Sequence, residues 1–155
     1  MKYLLFEGSS NVGKTTAINR FAHNLISKYS YNCVVGNLPP VGSKKDFQIV
    51  LENKNSNNGK KRVMVNSASD STDIIDSAKV FCNSNTPYDV IVSSCREEVN
   101  LYNHFFTVFS ISPNDKLFEL PMAKINHRNP TLKAHGMKWF KDKVDILADY
   151  LFQRL

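Results

Sequence analysis

Apolar and polar positions alternate between two rhythms along this chain, and the switches between them outline its elements. Tyr3-Leu4-Leu5-Phe6 is apolar without a break, the pattern of a short strand covered on both faces. Ile18, Phe21, Ala22, Leu25 and Ile26 then recur at helical spacing and mark one stripe of an amphipathic helix. Cys33-Val34-Val35 with Leu38 reads as a second strand, stopped by Pro39-Pro40 and followed by a loop over 41–45. Phe47–Leu51 and Arg62–Val65 are β-rich runs, and Asn58-Gly59 between them is a turn signal, so an antiparallel hairpin is expected with its first strand at the sheet edge.

From Asp70 to Asn83 the rhythm is helical again, with Ile74, Ile75, Ala78 and Phe81 on one face and Asp70, Ser71 or Thr72 able to cap the start. Pro87–Val92 returns to strand and ends at Ser93-Ser94-Cys95-Arg96. A short helix through Val99, Tyr102, Phe105 and Phe106 is expected next, then Val108–Ile111 as a last strand. Leu117–Leu120 fits a short strand or a helical turn. After Pro130-Thr131 a long helix is marked by Met137, Phe140, Val144, Leu147, Leu151 and Leu155, a stripe suited to covering one face of a sheet or, alternatively, to a coiled-coil seam. Strands alternating with helices predict an α/β fold of three layers, α-β-α, with a mainly parallel central sheet and one antiparallel edge hairpin.

Composition narrows this picture. The length of 155 residues suits a single domain over 1–155, and no internal repeat or linker divides it. With 42% apolar residues and no apolar run long enough to span a bilayer, no membrane partner is expected. The chain enters its first strand directly, without the features of a secretory leader, and its three cysteines (Cys33, Cys82, Cys95) have neither even number nor C-x-x-C spacing. Reduced thiols in the cytoplasm are the expectation. The formal charge of +6 fits a solubilising surface better than a nucleic-acid interface, because aromatic and basic residues do not interleave. Nucleic-acid binding stays possible but is not favoured.

The chemistry concentrates in Gly8-Ser9-Ser10-Asn11-Val12-Gly13-Lys14-Thr15, which satisfies G-x-x-x-x-G-K-[ST] at every fixed position. Glycines allow a tight turn whose successive N–H groups face one concavity, and a helix start behind it adds a positive dipole end. On these residues the chain resembles the P-loop NTPase superfamily. The resemblance implies that Gly8 through Thr16 hold a nucleoside triphosphate, with Lys14 at the β- and γ-phosphates and Thr15 on Mg²⁺.

Ligands of open α/β sheets sit at the carboxyl ends of strands, which directs attention to three further residues. Asp70, beyond Arg62–Val65, is a candidate for the metal's water shell and equally for the cap of the next helix. Glu7, before the first glycine, is a second candidate metal ligand, and Phe6-Glu7-Gly8 with Gly13-Lys14-Thr15-Thr16 resembles thymidylate and deoxynucleoside kinases. Arg96, after Cys95, can bind a phosphate or a second substrate, or pair at the surface with Glu97 or Glu98. Cys95 reads as a small packed residue. Asn114-Asp115-Lys116 lies where such proteins often hold the base, but it does not match the guanine motif N-K-x-D, so ATP is expected over GTP. The chain is also similar to small bacterial and phage ATP-binding proteins. Its expected activity is Mg²⁺-dependent NTP hydrolysis, with Lys14, Asp70 and Arg96 as catalytic candidates; a nucleoside or nucleotide kinase, and a nucleotide-regulated nucleic-acid or protein-binding module, are the alternatives.

Overall fold

In a computed structural model, residues 1–55 and 61–155 are described. The Asn58-Gly59 turn lies outside the described residues. The unbroken apolar run of β1 (Lys2–Glu7) divides by alternation: Leu4 and Phe6 enter one core cluster, Tyr3 and Leu5 the other. That division organises everything else. The first face is covered by α1 (Lys14–Tyr29) and α4 (Pro130–Arg154), whose Ile18, Phe21, Leu25, Val144, Ala148 and Phe152 are buried there. The second is covered by α2 (Thr72–Ser84) and α3 (Val99–Val108) through Ile75, Ala78, Cys82 and Phe105. Each fully buried Leu, Ile or Phe contributes about 1.5–3 kcal/mol, so the helices are held by their apolar stripes more than by propensity.

The sheet is mixed. Its six strands run in the order β2-β3-β4-β5-β1-β6, with β2 at Asn32–Val35, β3 at Gln48–Glu52, β4 at Arg62–Asn66, β5 at Val90–Cys95 and β6 at Lys116–Pro121. Pairing is parallel for β4–β5, β5–β1 and β1–β6, and antiparallel on both sides of β3. Among the described strands, only β3 therefore opposes the rest.

Four details depart from the sequence reading. First, β3 is not an edge: β2, largely exposed, takes that place, and Leu38 lies beyond it in the connection to β3. The fully buried Ile49, Val50 and Leu51 explain the difference, because a strand flanked on both sides is the one able to carry three apolar residues in a row. Second, Val108–Ile111 is not a strand. Phe109 stacks on Phe105 one helical turn away, with centroids 4.5 Å apart, and keeps the chain helical. Ser110 then turns left-handed (φ 53°), Ile111 N–H donates to the Phe106 carbonyl, and the helix ends in a Schellman closure. Third, of the two readings of Leu117–Leu120 the strand is the one observed, as Lys116–Pro121, and it takes the place of Val108–Ile111 as the last strand. Fourth, α4 covers the sheet with Val144, Ala148 and Phe152, while Leu147 turns partly outward with Leu132, Trp139, Ile146 and Tyr150. Among the described residues, no helix is long and apolar enough to cross a membrane.

Candidate functional site

The carboxyl end of β1 runs into a loop at 8–13 that the local sequence makes possible. Gly8 has φ 154°, and a Cβ there would come within 2.7 Å of the Met122 carbonyl oxygen. Its N–H donates to the Cys95 carbonyl, and Met122 N–H donates to the Glu7 carbonyl, so the loop is stitched to the ends of both neighbouring strands. Asn11 (φ 60°) and Gly13 (φ 94°) complete the turn, and Gly13 starts α1 with no side-chain cap. The first N–H groups of a 16-residue helix are thus left facing the loop's concavity.

Lys14 is buried to 7% exposure and folds back over this concavity, donating to the carbonyls of Gly8 (2.6 Å) and Ser9 (2.7 Å). Burial, and secondarily the Arg96 guanidinium, push its pKa below the ordinary lysine value. An ammonium in that position gains from any anion brought to it. Thr15 donates its hydroxyl to Asp46 Oδ1 (2.9 Å) and lies 3.2 Å from the Ser67 carbonyl oxygen. These residues, with Asn11–Gly13, Thr16, Lys44 and Asp70, line a polar cleft of about 320 Å³.

No family model, curated protein or solved structure matches this chain.

Asp70 lines the cleft, but it does not cap α2. Ser71 is the cap, its hydroxyl accepting from Ile74 N–H (3.4 Å). Asp70 instead accepts from Arg96 Nε at 2.8 Å. Arg96 is not a surface arginine: it is 7% exposed, its Nη1 is buried without a hydrogen-bond partner, and Glu98 Oε1 stands 3.8 Å away. Lys14 and Arg96 thus put two neighbouring cations behind one cleft. Glu7 lies elsewhere. By the alternation of β1 it joins the α2/α3 face, and it lines neither the cleft nor its neighbour. Burial, then Glu119, then Glu97 raise its carboxyl pKa. Burial beside Glu7 and Glu119 pushes the Cys95 thiol up to about 12, which fits a packed residue rather than a nucleophile.

Several residues escaped the sequence reading. Asn66, Ser67, Ser69, Ser93 and Ser94 are all buried at the carboxyl ends of β4 and β5. Asn66 Nδ2 donates to the Ala68 carbonyl (2.7 Å) and to Ser93 Oγ (2.9 Å), while Ser94 Oγ donates to Ser69 Oγ (3.1 Å). This network fixes the turn that presents Asp70. Phe47 N–H donates to Ser67 Oγ (2.8 Å), which ties in the segment carrying Asp46. That segment is also anchored to α1: the fully buried Asn19 donates to the Pro39 carbonyl and accepts from Gly42 N–H.

A signal for Asp46 existed. Because β3 opposes its neighbours, the residue before it lies at the same end of the sheet as the residues after β4 and β5. Asn114-Asp115-Lys116, by contrast, precedes the parallel β6, whose Lys116 is level with Lys2, so it sits at the far end of the sheet from the cleft. Among the described residues, no group of three or more His, Cys, Asp or Glu side chains converges on a metal position.

Proposed function

We propose that this chain is a Mg²⁺-dependent nucleoside-triphosphate-binding protein of the P-loop kind that hydrolyses the nucleotide. The observation that carries this reading is the convergence on one cleft of the loop's N–H groups, the buried Lys14 and the Thr15–Asp46 pair. A polyphosphate meets each of its needs there. The helix start and loop amides supply donors, and Lys14, released from the Gly8 and Ser9 carbonyls, supplies charge to the outer phosphates. Arg96, behind Asp70, adds to the positive field.

The donor set fits Mg²⁺ by its chemistry. Magnesium binds through one or two carboxylates, hydroxyls and phosphate oxygens and keeps several waters. Thr15, Asp46 and the Ser67 carbonyl are already gathered, and Asp70 lines the same cleft. Bound there, the ion would neutralise charge developing on the phosphates. The site then works by positioning and charge neutralisation, not by covalent chemistry, in keeping with a Cys95 held as a thiol. Asp46 replaces Glu7 as the second acidic candidate for the metal.

Thermal unfolding with Mg²⁺ and ATP tests the reading. Ligand at a hundred times its Kd stabilises the fold by roughly 2.7 kcal/mol. At the same ligand concentration Lys14→Ala is expected to cut the stabilisation to about 0.4–1.4 kcal/mol, and Asp46→Asn to reduce it in Mg²⁺ while leaving the metal-free response unchanged. Failure of ATP and of GTP alike to raise the wild-type Tm would overturn the proposal. Release of ADP that requires an added nucleoside or nucleoside monophosphate would replace hydrolysis with kinase activity.

A further inference from the structure

A second cavity adjoins the polar cleft, and its chemistry is different. It measures about 340 Å³, lies between α1 and α4, and is walled by Met122, Met137, Phe140 and Val144. It shares Asn11, Val12, Gly13, Thr16 and Lys44 with the polar cleft, so one ligand can reach both. We propose that this cavity receives the nucleobase, and that it holds the base by packing rather than by reading its hydrogen-bonding edge. The inference rests on the nucleotide reading above and extends it to the selectivity of the site.

The shared rim carries the first half. A nucleoside triphosphate is a polyanion joined through a sugar to a flat, weakly polar ring, and here a polar cleft opens beside an apolar slot across one set of loop residues. The chain's own topology places the slot. Once β6 ends at Pro121, the next residue is Met122, whose backbone is bonded to Glu7 and packs on Gly8. The segment after the last strand is therefore the slot wall. Gly136 helps to keep that connection close to α4: a Cβ there would stand 2.8 Å from Ile125 Cγ2, so the helix interior accepts a glycine at the point where the connection lies against it.

The lining carries the second half. Selection among bases needs fixed donors and acceptors at the ring edge. Among the described residues, no carboxylate lines the slot. Arg20, on its wall, is committed to Asp145 through three hydrogen bonds of 2.9–3.1 Å. The remaining charged side chains are the exposed Lys44 and Lys141, the polar Asn11 and Thr16 stand on the rim shared with the polar cleft, and the apolar walls include two methionines and a phenylalanine that adapt to the ring they meet.

Competition binding on the full chain with Mg²⁺ tests this, using ATP, GTP, UTP and inorganic tripolyphosphate as probes. The nucleotides are expected to bind within about fivefold of one another and all about tenfold or more tighter than tripolyphosphate, as base stacking alone supplies. Phe140→Ala and, as a milder change, Met137→Gln should weaken nucleotides towards the tripolyphosphate level and leave tripolyphosphate itself unaffected, which also shows that the fold and the cradle persist. Tripolyphosphate binding as tightly as ATP, or slot variants that weaken neither or both alike, would overturn the slot. A hundredfold preference between ATP and GTP would overturn the packing-only mode. Should no probe bind at all, the nucleotide reading falls and the slot with it; should tripolyphosphate alone bind, only the slot falls.

Discussion

Two strand ends meet at the cleft, and they are built in opposite ways. At β1 the candidate groups are consecutive: the turn glycines, Lys14 and Thr15 come from eight adjacent residues. At β4 and β5 they are assembled from Asn66, Ser67, Ser69, Asp70, Ser93, Ser94 and Arg96, with Asp46 delivered from the far side of an antiparallel strand. The first end depends on backbone conformation, and the second on a buried hydrogen-bond network. Damage to the first should act through strain, and damage to the second through unsatisfied polar groups.

The largest effect is expected at Gly8. Gly8→Ala sets a Cβ against the Met122 carbonyl at 2.7 Å and must hold a positive φ besides, whereas Gly13→Ala meets no atom within 4 Å. Gly8→Ala should cost about 3 kcal/mol or more and Gly13→Ala about 1 kcal/mol. At roughly 2–4 °C per kcal/mol for a chain of this size, calorimetric Tm values separate the two. Equal losses would mean that conformation, not contact with Met122, sets the need for glycine.

At the other strand end, Asn66→Ala should cost about 2 kcal/mol, since the Ala68 carbonyl and Ser93 hydroxyl lose a buried partner. A loss below about 0.5 kcal/mol in urea unfolding would show that the network is not a unit. Asp70→Asn ranks next. It removes the charge partner of the buried Arg96, but Asp70's own side chain is 56% exposed, which limits the cost to about 1 kcal/mol. Arg96→Met, which removes the buried charge itself, should cost less, and the double variant no more than Asp70→Asn alone.

Glu7→Gln is the smallest change and has a pH signature. Its carboxyl pKa is raised in the fold by burial and by Glu119 and Glu97, so the wild type carries the penalty of the charged form above that raised value. The penalty fades as pH falls through the raised pKa and is gone below the ordinary value of 4.5. Glu7→Gln should therefore raise Tm slightly at neutral pH and converge with wild type near pH 4. A gain that persists in acid would place the effect in packing instead.

The contrast also explains what was legible in the sequence. Periodicity exposed the strands and helices around the loop because each buries a continuous stripe, and the loop itself because its requirements are local. The serines of the network carry no periodic signal: Ser93 and Ser94 read as the tail of a strand, and only their burial beside Asn66 and Ser69 gives them a role. Val108–Ile111 has the composition of a strand, yet it holds the last helical residue and the C-terminal closure of α3, set by the Phe105–Phe109 stack, a contact that a four-residue window does not contain. With that strand gone, Asn114–Lys116 no longer follows the last strand but leads into β6, at the far end of the sheet from the cleft. Asp46 carries no motif of its own, and its only signal is indirect: the expected antiparallel course of the strand after it brings it to the crevice end of the sheet.

The most direct measurement of the central claim is an equilibrium titration of the wild type and Lys14→Ala with Mg²⁺ and ATP by calorimetry. Saturable binding is expected for the wild type, weakened tenfold to a hundredfold by the loss of one charged contact. Wild-type protein that takes up no ATP at millimolar concentration, or Lys14→Ala that binds it equally well, would contradict the assignment of the Gly8–Thr15 loop as a triphosphate site.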